Sequence, residues 1–205
     1  MKNLPKLEPM ALLEQAAPFD DPDWLFEVKY DGIRAFAYIS GDDCRLVVNG
    51  LDDPTPQFRE LARVLPGDLN VKSAVLDGEL VVLDQVGKAQ YGDLIAGRGL
   101  VLFAAFDLLW LNGKDLREQP LVERKEVLRF RVRHPSDRVM FVDYKEGTGT
   151  SLYARMCERD MEGIVGKPRY SPYLSGDGDT TWIKVKNPSY SKAAGRAELL
   201  EQRLT

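Results

Sequence analysis

An α+β fold, with antiparallel β-sheets flanked by helices, is predicted by three features of this 205-residue sequence. Strand-like runs recur at 25–30, 33–39, 44–48, 73–83, 100–109, 139–143, 163–167 and 182–186, with helical patterns at 56–65, 120–133, 150–160 and 191–203. Only Asp31-Gly32 and Gly41-Asp42-Asp43 separate the first three strand runs. Turns that short exclude helical crossovers, so these runs are expected to pair as an antiparallel meander. Asn112-Gly113 marks a further turn after the long apolar run. No internal repeat, low-complexity segment or linker divides the chain, which is expected to form a single domain over residues 1–205.

Taken in order, the elements carry an unusual density of charge. In the first run Leu25 and Val28 fall on opposite faces, and Glu27, Lys29 and Asp31 share one face. A lysine within such a strand is notable, because strands are stabilised by apolar and β-branched residues. The run at 73–83 places Asp77 and Glu79 together, and the run at 100–109 contains Phe106-Asp107-Leu108-Leu109. The helix at 120–133, with Pro120 near its start, holds Arg124, Lys125, Arg129, Arg131 and Arg133, followed by Arg138, and reads as a solvated basic face. Glu162-Gly163-Ile164-Val165-Gly166-Lys167 is a strand, residues 176–179 form a surface loop, and Trp182-Ile183-Lys184-Val185-Lys186 sets two lysines on one face. The tail from 191 to 203 reads as an amphipathic helix.

Composition narrows the class. At 44% hydrophobic residues the chain can bury a sizeable core. Two cysteines, Cys44 and Cys157, and one histidine, His134, provide neither a disulfide framework nor a zinc site. No signal sequence or membrane-spanning run is evident, so a reducing cytoplasmic location and no membrane partner are expected. A net charge of −4 supplies no global attraction to nucleic acid. Any such contact must be local, at 124–138 or at 184–196, where Lys184, Lys186, Lys192 and Arg196 lie.

A site rich in both lysines and carboxylates suggests polyphosphate chemistry. A lysine amine is a nucleophile only when neutral, a scarce form at pH 7. Neighbouring cations and burial favour it, so Lys184, Lys186 and a divalent metal are candidates to activate Lys29. Carboxylates at Asp31, Glu79 and Glu162 oppose this unless a metal or substrate hydroxyls occupy them. A nucleoside polyphosphate with Mg²⁺ completes the charge balance, with attack at phosphorus.

Five motifs in fixed order, Lys29-x-Asp31-Gly32-x-Arg34, Asp77-Gly78-Glu79, Phe106-Asp107-Leu108-Leu109, Glu162-Gly163-Ile164-Val165-x-Lys167 and Trp182-x-Lys184-x-Lys186, resemble the adenylation domain of ATP-dependent DNA ligases. These belong to the covalent nucleotidyltransferases. The context of Trp24 and of Phe106 to Gly113 is most similar to the ligase domains of bacterial end-joining ligases. The resemblance implies the nucleotidyltransferase fold shared with mRNA capping enzymes, ATP as cofactor with Mg²⁺ or Mn²⁺, and nicked DNA as the substrate in repair. It implies that Lys29 attacks the α-phosphate of ATP, expels pyrophosphate and carries AMP, which then passes to a 5′-phosphate at a nick. Arg34 and Glu79 would bind the ribose, Glu27 with the adjoining backbone at Val28 the adenine, and Phe106 would stack on the base. Lys184 and Lys186 would grip the α-phosphate, Glu162 would hold the metal with Glu79 as a second candidate, and Asp31 would assist the metal or orient Lys29.

The chain departs from the resemblance in three places, one being the region between Asp84 and Leu100, which is short for the family. Only residues 187–205 follow Lys186, too few for the oligonucleotide-binding (OB) domain usual in these ligases, so none is expected. The chain is then either an excised catalytic domain or a natural short form, with a separate DNA-binding partner as one replacement. Related ligases carry Ser-Arg before Asn-Gly, where this sequence has Val47-Val48 before Asn49-Gly50. The alternatives to a DNA ligase are an RNA ligase or another-acceptor adenylyltransferase, and a non-catalytic ATP-binding module.

Overall fold

The computed structural model describes residues 4–48, 54–132, 138–176, 178 and 180–193. Asn49-Gly50, His134, Arg133, most of the expected 191–203 helix with Arg196, and two positions of the 176–179 loop lie outside the described residues.

Two sheets form the frame. The first contains β1 (Leu13–Glu14), β2 (Asp20–Lys29), β9 (Tyr144–Thr148), β10 (Gly163–Pro168) and β11 (Ile183–Lys186), in the order β1-β11-β10-β2-β9. The second contains β3 (Ile33–Ser40), β4 (Asp43–Val48), β5 (Ser73–Val82), β6 (Val101–Leu111) and β7 (Lys114–Asp115), in the order β4-β3-β5-β6-β7, with β8 (Val139–Phe141) beside β6. Pairing is antiparallel except for β1 with β11 and β8 with β6. The predicted mixed architecture is therefore present.

The expected meander is corrected at its first turn. β3 and β4 do pair, from Ala35↔Val48 to Ser40↔Asp43. β2, however, pairs with β10 and β9, while β3 pairs with β5. Tyr30-Asp31-Gly32 thus carries the chain from one sheet to the other instead of closing a hairpin. A Cβ at Gly32 would stand 2.3 Å from the Leu80 carbonyl oxygen, so this passage requires glycine. At the other turn, Asn112 (φ 49°) and Gly113 (φ 91°) both adopt the positive φ of a tight primed hairpin between β6 and β7.

The faces of the second sheet divide by the period of two. Ala35, Ala37, Ile39, Leu76 and Leu80 pack with Leu61, Leu65 and Leu69 of α1 (Arg59–Leu69) and Leu128 of α3 (Leu121–Arg131). Phe36, Tyr38, Val75 and Leu109 turn the other way, onto Met10, Tyr173 and Trp182. α4 (Gly149–Glu158) covers the first sheet through Leu152 and Met156 against Phe26, Ile164 and Val185. α1 continues past the expected end at 65 and through Pro66, since Leu65, Pro66 and Leu69 are buried. The short α2 (Tyr91–Ile95), β1, β7 and β9 were not expected from the sequence.

Candidate active site

Strand register gathers the site. Lys29 pairs with Gly163, which pairs on its other side with Lys186. One row along, Glu27 pairs with Val165, Val165 with Lys184, and Lys184 with Glu14. Residues directly opposite one another share a face, so three motifs distant in sequence project together. Gly163 (φ +142°) is the pivot, since a Cβ there would lie 2.1 Å from the Val185 carbonyl oxygen.

An open cleft lies between the sheets. From the first sheet it is lined by Glu27, Val28, Lys29 and Lys167, and from the second by Arg34, Glu79 and Phe106, with Trp182 at the approach to β11. Ala105 faces Gly78 while Asp107 faces Asp77, so Phe106 is the extra residue of a β-bulge, a device that re-aims a side chain. Its ring meets Trp182 edge to face at 5.9 Å. The Arg34 guanidinium donates to both oxygens of buried Asp77, at 3.1 and 2.7 Å, and to the Met10 carbonyl at 2.6 Å. The Tyr173 hydroxyl donates to Asp77 at 2.7 Å.

Lys29 donates from Nζ to Glu162 at 2.8 Å. A second cavity is lined by Asp31, Glu162, Lys186, Asn187, Tyr190 and Lys192. β2 ends at Lys29, so Asp31 leaves the face it was expected to share with Glu27 and instead accepts a 2.9 Å hydrogen bond from the Tyr190 hydroxyl. Burial and the Asp31 carboxylate hold the Tyr190 phenol well above its ordinary pKa. Lys184 and Lys186 meet Glu14 at 3.4 and 2.9 Å.

Among the described residues, no group of three or more His, Cys, Asp and Glu side chains could hold a metal alone. Mg²⁺ commonly uses one or two carboxylates together with substrate phosphates, and Glu162 with Asp31 beside Lys186 fits that donor set, as it fits Mn²⁺. Glu79 lines the cleft with Arg34.

The solvated-face reading of the helix at 120–133 is corrected. Arg124 and Lys125 are fully buried, although Arg129 pairs with Asp143 at the surface. Arg124 makes a two-pronged pair with Asp107, at 2.8 Å on each side. Burial opposes the Asp107 anion, but the guanidinium outweighs it and holds the carboxyl below its usual range. Lys125 donates to Glu27, whose other oxygen lies 2.6 Å from Lys167. Burial lowers Lys167 to about 8, with Lys125 adding to the effect and Glu27 opposing it. Lys167 Nζ also stands 4.0 Å from the Trp182 ring centre and 4.3 Å from that of Phe106. Lys167 was within a recognised motif without a role, whereas Lys125 and Tyr190 gave no sequence signal that pointed to the site.

A family model described as the ATP dependent DNA ligase domain matches residues 8–186. The SPbeta prophage-derived DNA ligase-like protein LigB of Bacillus subtilis is 29% identical over 195 residues, covering 91% of this chain and 69% of that protein. The multifunctional non-homologous end joining protein LigD of Pseudomonas aeruginosa is 34% identical over 170 residues, covering 80% of this chain and only 20% of LigD. A solved structure titled mycobacterial DNA ligase D complexed with ATP and MES superposes with a TM-score of 0.76 at 29% identity, over 88% of this chain and 60% of that one. Chlorella virus DNA ligase-adenylate shares the fold at a TM-score of 0.56 and 16% identity. The family match spans all five motifs and both sheets, and the chain belongs to the ATP-dependent DNA ligase domain family.

Proposed function

We propose that this chain is a ligase-type adenylyltransferase that forms lysyl-AMP at Lys29 and passes AMP to a 5′-phosphate at a DNA nick. The observation that carries the reading is Lys29 at the junction of the two cavities, lining the cleft with Glu27, Arg34, Glu79 and Phe106 and 2.8 Å from Glu162 in its neighbour. The base would lie against Phe106 with Glu27 at its edge, and Arg34 with Glu79 would face the ribose. The Lys29 amine, once neutral, gives its lone pair to the α-phosphorus, and the bond to the bridging oxygen of the β-phosphate breaks. Pyrophosphate leaves with that electron pair, and the amine sheds a proton. Lys186, beside Glu162 and Asp31, and Lys184 would stabilise charge on the phosphate oxygens. A Mg²⁺ or Mn²⁺ ion held by Glu162, with Asp31 or Glu79 assisting, would neutralise phosphate charge. The solved ligase D described as complexed with ATP supports the choice of nucleotide.

The test is incubation with α-labelled ATP and Mg²⁺ or Mn²⁺, followed by denaturing electrophoresis and acid treatment. Acid-labile label on the wild type, absent from Lys29→Ala, is expected. A wild-type protein that takes no label from ATP overturns the proposal in favour of a non-catalytic module. Adenylated 5′ ends on nicked DNA, compared with nicked RNA, would identify the acceptor.

A further inference from the structure

The buried helix cation Lys125 has no part in the chemistry above, yet its surroundings are specific. Its ammonium is fully buried and makes three hydrogen bonds, the full complement of its donors. One reaches the Glu27 carboxylate on β2. Another reaches the carbonyl of the bulge residue Phe106 on β6, at 3.2 Å, and the third the Val142 carbonyl, at 3.0 Å. Phe141 and Tyr144 place their rings 4.7 and 5.3 Å away. A single ammonium from α3 therefore joins the two sheets at the residues that form the edge and the face of the base slot.

From this we infer that Lys125 is a positioning residue for base recognition, acting by fixing the Glu27 carboxylate at the edge of the slot. The inference rests on the adenylyltransferase reading. A buried ion pair is a poor source of stability compared with apolar packing of similar volume, so this pair is read as fixing geometry rather than as adding stability. Held by Lys125 on one oxygen and facing Lys167 with the other, Glu27 cannot rotate away from the slot. Its carboxylate oxygens are acceptors, suited to the amino group of adenine and opposed to the carbonyl of guanine.

The experiment measures self-adenylation against ATP and GTP concentration for wild type, Lys125→Met, Glu27→Gln and the double variant. Lys125→Met is expected to raise the half-saturating ATP concentration about tenfold, more than it lowers the saturating rate, and to narrow the preference for ATP over GTP. The double variant contains no stranded carboxylate, and so remains measurable should Lys125→Met alone fail to fold. In the Glu27→Gln background the lysine substitution is expected to leave base preference unchanged. A folded Lys125→Met with wild-type half-saturation and base preference would overturn the inference, as would an undiminished effect in the Glu27→Gln background. In either case wild-type labelling by ATP would leave the adenylyltransferase reading standing, whereas loss of wild-type labelling would remove that reading itself.

Discussion

The Glu14 carboxylate sits 2.9 Å from the Lys186 ammonium and also faces Lys184, on the two-residue strand that runs parallel to theirs. An anion thus occupies the lysines proposed to receive phosphate, and nucleotide must displace it. Glu14→Gln is expected to raise self-adenylation at limiting ATP by about two- to fourfold, the scale of an exposed ion pair. The gain should shrink with added salt. Unchanged or slower labelling at low salt would show that Glu14 does not compete.

Lys29→Ala removes the proposed nucleophile and one partner of a partly buried ion pair. Covalent label should vanish, with the melting temperature lowered by about 5 °C or less. Labelling that survives in this variant would falsify the nucleophile assignment.

Lys167 offers a pH signature. Its folded pKa of about 8 lies below its ordinary value, so between the two the unfolded chain binds the proton and the folded chain does not. Stability attributable to this residue therefore rises with pH across that interval, by on the order of 3 kcal/mol when complete. The check is the difference in unfolding free energy between wild type and Lys167→Met at pH 7 and at pH 9.5. The difference should move in favour of the wild type as pH rises, and a flat difference refutes the depressed pKa.

Tyr190→Phe deletes the hydrogen bond to buried Asp31 and should cost about 1–3 kcal/mol of stability, as expected for a bond to a charged group. Slower single-turnover adenylation at saturating ATP should accompany it if Asp31 serves the metal. Wild-type melting and rate together would rule out any contribution of the bond.

Gly163→Ala should cost about 3 kcal/mol or more, because the new methyl meets the Val185 backbone and the φ of +142° is strained for any other residue. Since Gly163 pairs with both Lys29 and Lys186, labelling should fall with it. An alanine variant with wild-type melting would contradict the described register.

Eight of the strands, α3, α4 and the antiparallel character were legible because alternation and short turns are local signals, whereas β1, β7 and β9 were not. The partner of β2 was not, because nothing in Asp31-Gly32 distinguishes a hairpin from a passage between sheets. Glu27, Lys29 and Arg34 line one cleft with Glu79 and Phe106, which are distant from them in sequence. The buried roles of Arg124 and Lys125 escaped because a cluster of cations on a helix reads as solvated until Asp107 and Glu27 are brought to it from strands. Tyr190 escaped likewise, since its hydrogen bond spans 159 positions.

The stretch that ends in Glu14 has a practical consequence. The Leu7 and Met10 backbone amides donate to the Tyr38 and Tyr173 hydroxyls, the Met10 carbonyl accepts from Arg34, and β1 pairs with β11, so this stretch clasps both sheets beside the cleft. A protease cutting between Glu14 and Asp20 would sever the clasp from β2 without touching a motif. Its cutting rate, followed with and without ATP, would report whether the slot is filled even in a variant that cannot react.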